Sequence, residues 1–187
     1  MITIKGGKII ILVTVLCILF VVIAFITFFY LQNNKSTVTI MEKQVVVSDK
    51  DSETATVLQI QEEEREETVE EEFPINMHEN RVQTAIHRMS HQKIRADEKW
   101  GFLPLTDERV QRLIEVVEAN DYKHSETYMA ILKRWERHDF SQADKDHNAI
   151  WTIQNGTIGK ATGLLTIEEE KAFIRKHFKT IEVDFAN

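Results

Sequence analysis

Two histidines stand four residues apart in the stretch HRMSHQK, His87 and His91. On a helix this spacing places both imidazoles on one face, which is half of a zinc site. The metalloprotease form of this motif needs a glutamate directly after the first histidine, and Arg88 stands there. The pair also lies opposite the apolar stripe through Ile86 and Met89, so we expect both rings to be exposed. With no third ligand identifiable, we predict no cofactor and keep this pair as the alternative metal site.

All seven histidines lie after residue 75. Two of them, His78 and His147, share helix faces with Val82 and Ile150. This position predicts hydrogen-bonded histidines in the core rather than metal ligands. The histidines and the single Cys17 therefore give no cluster with metal-ligand spacing.

The stretch QNGTIGKATGLLTIEEE, residues 154–170, resembles a phosphate-binding loop. In the pattern G-x-x-x-x-G-K-[ST], four residues separate the glycines, whereas Gly156 and Gly159 are two residues apart. Ala161 also follows Lys160 where a hydroxyl is required. We therefore predict no nucleotide and interpret the loop as a connector between helices, opened by an Asn155 and Gly156 C-cap.

Other motifs that could carry chemistry are incomplete or absent. DKDHNAIWTIQN, residues 144–155, begins like a calcium loop, but Ala149 replaces the turn glycine and Asn155 replaces the bidentate glutamate. There is no G-x-S-x-G elbow and no carboxylate pair on an apolar background. The sequence therefore leans against an enzyme.

The stretch KWGFLPL, residues 99–105, concentrates large apolar side chains in a loop. One interpretation is a core plug between two helices. The other is an exposed patch that binds a partner. For the second interpretation we predict Trp100, Phe102, Gly159 and Lys160 as partner-binding residues, because exposed loops on rigid scaffolds often carry recognition.

Charge is distributed unevenly along the chain. Residues 1–74 hold 6 Lys/Arg and 12 Asp/Glu, a net charge of −6, and residues 75–187 hold 17 and 18, a net charge of −1. The block EEEREETVEEE buries too little apolar surface to fold alone, which predicts a largely disordered acidic linker over 32–74. A near-neutral domain behind an acidic tether has no basic stripe, so we predict no nucleic-acid partner.

The N-terminal region predicts a membrane anchor. Residues 9–31 carry no charge, proline or glycine, and as a helix they would span a hydrocarbon core of roughly 30 Å. Lys5 and Lys8 precede this run, so we expect residues 1–8 to be cytoplasmic and the following chain to be extracytoplasmic. The apolar run is longer than the core of a cleaved signal peptide, so we predict an uncleaved signal-anchor in the cell membrane with the lipid bilayer as partner.

Residues 75–187 predict about five short helices in a compact all-α domain. The chain carries an apolar stripe after each helix start signal, including Thr106 with Val110 and Leu113, and Thr166 with Glu169 in a capping box. At this length the domain can bury a core of its own.

Two stretches, HRMSHQKIRADEKWGF and DFSQADKDHNAIWTIQNGTIGKATGLL, resemble an uncharacterised family of membrane-anchored proteins from Bacillus-type Gram-positive bacteria. The resemblance covers residues 87–178 and implies an exported helical domain of unknown function without assigned catalytic residues. Its characteristic stretches contain His91, Trp100, Asp146, Asn148, Gly159 and Lys160.

From the sequence we therefore expect a single-pass protein that presents a small helical interaction module to a protein or cell-envelope partner outside the membrane. The alternative is an exported hydrolase, metal-dependent or otherwise, that uses the histidine-rich domain. The two are separated by whether His87, His91 and a third ligand converge, or whether Trp100 and Phe102 form an exposed patch beside the loop of Gly159 and Lys160.

Overall fold

The computed structural model describes residues 4–33, 36–46, 54–65 and 67–181, and within its first helix it describes side chains over residues 13–27. The chain divides into two compact units, Met1–Lys35 and Ser36–Asn187. The first unit contains one helix, α1 (Ile4–Asn33).

The predicted transmembrane helix at 9–31 is corrected by the structure. In the described part of the chain, no helix is both long enough and apolar enough to cross a membrane. The predicted single-pass localisation, with a cytoplasmic N-terminus and an extracytoplasmic domain, is corrected with it.

The second unit contains six of the described helices. They are α2 (Val69–Glu72), α3 (Glu79–Ser90), α4 (Asp107–Glu118), α5 (Ser125–Glu136), α6 (Ala143–Ile153) and α7 (Ile167–His177). Two of the predicted caps are confirmed. The Thr106 side chain accepts a hydrogen bond from the Arg109 amide, and Thr166 and Glu169 form a reciprocal capping box.

The prediction of an all-α fold with a flexible acidic stalk is wrong, because the unit also contains five strands among its described residues. They are β1 (Thr37–Val46), β2 (Thr54–Glu64), β3 (Ile94–Arg95), β4 (Gly163–Leu164) and β5 (Lys179–Ile181). The strand β1 pairs antiparallel with β2 and parallel with β5, in the order β2-β1-β5, and β3 pairs antiparallel with β4. Within the segment interpreted as a linker, β1 and β2 are therefore a pair of antiparallel strands.

The hairpin is ordered by packing that joins distant parts of the sequence. Val38, Leu58 and Ile60 face inward and pack with Ile174 and Phe178 of the α7 region. Each of these five side chains is buried. Burying a side chain of this size contributes about 1.5–3 kcal/mol, which a charged linker alone could not supply.

The main core lies among the helices. It contains the apolar stripes of α3, α4 and α5, with Val69 and Phe73 from the α2 region and Ile150 from α6. The stripe residues of α3 anticipated from the sequence, Val82, Ala85, Ile86 and Met89, are all buried. The periodicity of apolar residues was therefore a reliable guide to these helices.

A buried ion pair joins the sheet to the helices. The Lys93 ammonium lies 2.5 Å from Oε1 of Glu170, donates a hydrogen bond to the carbonyl oxygen of Leu58 at 2.7 Å, and sits 4.2 Å from the Phe140 ring centroid. Gln92 donates to the same Glu170 oxygen at 3.2 Å. One side chain thus ties the end of α3 to both β2 and α7.

A second pair fixes the far end of the hairpin. Arg109 contacts Glu62 at 2.7 Å and Glu72 at 2.9 Å, and the side chains of Arg109 and Glu62 are almost completely buried. The acidic block is therefore partly neutralised by an arginine of α4, and not wholly solvated as the sequence suggested.

We predict that the Glu170→Gln variant of the full chain loses about 3 kcal/mol of unfolding free energy in a urea titration, because the buried Lys93 ammonium loses its counter-charge. The double variant Lys93→Met, Glu170→Leu should recover most of this loss, since it removes both buried charges.

The matched control is Glu136→Gln, which removes the carboxylate of the exposed Lys133–Glu136 pair. It should change stability by less than about 1 kcal/mol. If Glu170→Gln costs no more than this control, the buried pair does not hold the hairpin as described.

Candidate metal centre

Three imidazole rings meet inside the helical part of the second unit. One nitrogen from each of His87, His91 and His147 lies within 4.8 Å of the other two. The ring centroids are 5.0 Å apart for His87 and His91, 4.4 Å for His87 and His147, and 5.5 Å for His91 and His147. Among the described residues, this is the one group of three or more His, Cys, Asp or Glu side chains with metal-ligand proximity.

Two packed helices bring the rings together. His87 lies in the last turn of α3, and His91 is its C-cap residue with backbone angles that are still helical, so the i, i+4 relationship holds. His147 comes from α6, which packs against α3. The expectation that the pair would be exposed is wrong, because α6 covers that face. His91 is buried and His87 is half-buried.

Each ring donates its Nδ1 proton to an oxygen acceptor. Nδ1 of His87 is 2.5 Å from Oε1 of Gln154, and Nδ1 of His91 is 2.8 Å from the carbonyl oxygen of Gly101. Nδ1 of His147 is 3.3 Å from Oδ1 of Asn148. A carbonyl oxygen only accepts, so Nδ1 of His91 carries the hydrogen and its Nε2 carries a lone pair.

The same tautomer follows for the other two rings, so all three Nε2 atoms have free lone pairs. Nε2 of His147 is buried and has no hydrogen-bond partner. Metal-ligating histidines usually donate the other ring N–H to an oxygen acceptor, which fixes both tautomer and orientation. His147 therefore combines a buried, unpartnered Nε2 with two neighbouring histidines, as expected of a metal ligand.

Electrostatics keep the rings neutral. Burial lowers the pKa of His91 to about 3 and the pKa of His147 to about 4. Burial also lowers the pKa of His87, and the hydrogen bond that its Nδ1 donates to Gln154 opposes this shift. The positive charge of Lys99 acts on His91 and His147 in the same direction as burial. At neutral pH all three rings are therefore in the form that binds a metal.

The ring nitrogens are further apart than a bound ion requires. Tetrahedral zinc bonds of about 2.0–2.1 Å to nitrogen place the ligand atoms roughly 3.3 Å apart. The nitrogens lie within 4.8 Å of one another, so they would have to move closer together to bind an ion. No carboxylate or thiolate from the described residues completes the set.

The loop that contains Gly159 and Lys160 holds the hydrogen-bond partner of His147 in place. The Asn148 side chain donates to the carbonyl oxygen of Ala161 at 3.0 Å and accepts from the Ala161 amide at 2.8 Å. These two bonds fix which side-chain atom is Oδ1, the atom that receives the Nδ1 proton of His147. The loop thus holds the acceptor that orients a candidate ligand.

Backbone geometry confirms that the loop is a connector. Asn155 has a φ of 54°, and the Gly156 amide bonds the carbonyl oxygen of Trp151, as in a left-handed C-cap. Gly159 has a φ of 80°, and a Cβ there would lie 2.5 Å from the carbonyl oxygen of Glu98. Gly159 is therefore required for close approach to the segment before Trp100.

The predicted partner-binding residues differ in their exposure and contacts. Trp100 is 70% exposed, and its indole N–H bonds Glu98 at 2.9 Å. Phe102 is half-buried, with its ring centroid 3.8 Å from that of His177. It packs against the buried cluster formed by the β1–β2 strands and the α7 region. Lys160 is exposed, with its ammonium 6.0 Å from the Trp151 ring centroid. Their role in binding a partner stays a prediction.

Sequence reasoning missed three contributors to the centre. His147 was interpreted as a core histidine, and its burial is confirmed, but its approach to His87 depends on how α6 packs on α3. Asn148 carried no signal beyond its place in the family stretch. Lys99 was not predicted because its contacts, such as the one with the Phe173 ring, are with residues far away in the sequence.

Comparison with known proteins covers the same region. Residues 86–175 match a family of unknown function, DUF6241. This match includes all three histidines, Asn148 and the connector loop. It supports the sequence-based expectation of an uncharacterised domain. It shows neither the expected membrane anchor nor the expected bacterial group. No curated protein and no solved structure matches the chain.

We predict that the metal-free protein loses stability on mild acidification. Unfolded histidines have a pKa of about 6.5, whereas His91 and His147 in the folded state have values of about 3 and about 4. Below pH 6.5 the unfolded state therefore binds more protons, and the free energy of unfolding should fall by a few kcal/mol between pH 7 and pH 4.

The measurement is urea unfolding across this range with a chelator present. The His147→Gln variant cannot take up that proton on unfolding, so its stability should depend less steeply on pH. Equal slopes for the two proteins would contradict a buried, neutral His147.

Proposed function

We propose that this domain binds a zinc-like divalent transition-metal ion through Nε2 of His87, His91 and His147. One observation carries the proposal: three neutral imidazoles converge while each of their Nδ1 atoms is already bonded to an oxygen acceptor. In a core that needed histidines only for packing, Nε2 of His147 would be expected to have a polar partner.

The ligand chemistry narrows the class of ion. Imidazole nitrogen suits zinc, copper, iron and nickel, whereas calcium and magnesium prefer oxygen ligands. Zinc imposes no geometric preference from its d electrons, so it tolerates the positions that two packed helices offer. When bound, such an ion supplies a Lewis acid and links α3 to α6.

The proposal bears differently on the two functions expected from the sequence, the interaction module and the metal-dependent hydrolase. Convergence of a third ligand on His87 and His91 was the condition that favours the metal-dependent alternative over the interaction module. Hydrolysis by that metal stays a prediction. The exposed Trp100 ring is the observation that still supports a partner-binding surface.

We expect the full-length chain, stripped of metal with a chelator and dialysed, to bind one zinc ion per molecule in isothermal titration calorimetry at pH 7.5. His147→Ala should weaken binding by at least about 100-fold, because loss of an orienting partner alone costs 10–100-fold and here a ligand is lost. Binding should also raise the unfolding midpoint in proportion to the logarithm of the zinc concentration.

The matched control is His78→Ala. The prediction that His78 lies in the core is wrong, because this histidine is exposed at the start of α3 and makes no side-chain cap bond. This variant should bind zinc like the unmodified chain. If His78→Ala and His147→Ala weaken binding equally, or if zinc is held without His147, the three-histidine centre is not the binding site.

A further inference from the structure

The candidate centre offers three protein ligands. Structural zinc sites are closed by four protein ligands, whereas sites that bind an exogenous molecule keep one position open. No Cys, Asp or Glu from the described ranges 4–33, 36–46, 54–65 and 67–181 joins the three histidines. An ion held there has a fourth position that the described side chains leave to a ligand from solution.

The three rings differ in their exposure. His91 and His147 are buried, whereas His87 and its hydrogen-bond partner Gln154 are only half-buried. A ligand from solution would therefore approach the centre from the His87 side.

Lys99 adds positive charge beside the centre, since it acts electrostatically on His91 and His147. The Lys99 ammonium donates to the carbonyl oxygen of His91 at 2.8 Å and lies 4.5 Å from the Phe173 ring centroid. No carboxylate in the described structure forms an ion pair with it within 4.0 Å. An ammonium has three donors, so Lys99 keeps donor capacity for an anion next to the ion.

We propose that the metal centre binds a small exogenous anion, such as hydroxide or a carboxylate, at its fourth position, and that Lys99 is a positioning residue for this anion. The inference rests on the proposed function, since without an ion there is no fourth position. It goes further by assigning the chemical class of the second ligand and a residue outside the ligand set.

The test uses the full chain loaded with Co²⁺, whose visible absorption reports coordination, and titrates it with azide. We expect azide to change the cobalt bands saturably. Lys99→Met should weaken azide binding at least about fivefold, because a nearby positive charge is lost. Lys99→Arg, which keeps the charge, and Lys123→Met, which removes an exposed lysine elsewhere, should stay within about twofold of the unmodified chain.

The outcomes distinguish a failure of this inference from a failure of the proposed function. Cobalt that binds but does not respond to azide overturns the open position and leaves the proposed function intact. An azide response that is unchanged in Lys99→Met, with cobalt stoichiometry and circular dichroism preserved, overturns the role of Lys99. A chain that binds no cobalt or zinc overturns the proposed function, and this inference with it.

Discussion

Three imidazole rings share a buried space that has no room for three positive charges. Desolvation and mutual repulsion favour the neutral form of each ring, and a neutral ring must still place its one N–H and its one lone pair. The protein provides an oxygen acceptor for each N–H, and one nitrogen of each ring lies within 4.8 Å of the other two. The surrounding segments can be understood as supports for that arrangement.

These supports come from separate parts of the chain. The carbonyl oxygen of Gly101 lies in the segment between α3 and α4, and Asn148 is held by the loop that follows α6. Glycine at position 159 lets this loop approach the carbonyl of Glu98. The buried Lys93 then fixes the chain just after His91 to the sheet and to α7. Positioning of the centre therefore depends on the whole second unit.

The helices were predictable because their signals are local. Apolar periodicity and the caps at Thr106 and Thr166 act within a few residues, so the sequence is enough to place α4 and α7. At the start of α6, by contrast, the N-cap is Gln142 without a side-chain bond, and the nearby Ser141 hydroxyl bonds Asp139. Competition between nearby polar groups decides such details.

The sheet and the centre depended on contacts far apart in sequence. The strands β1 and β2 were left as linker because their partners, α7 and Arg109, lie more than forty residues further along the chain. Likewise, helical projection identifies the shared face of His87 and His91 but cannot show that α6 covers it. The approach of His147 to this pair depends on how α6 packs against α3, and residue spacing alone could not predict it.

X-ray absorption spectroscopy of the zinc-loaded full-length chain distinguishes a three-histidine centre from other ligand sets. We expect three imidazole nitrogens at about 2.0–2.1 Å with the multiple-scattering pattern of histidine rings, plus one further oxygen or nitrogen donor. A spectrum with sulfur ligands, an all-oxygen shell or fewer than three imidazoles would contradict it.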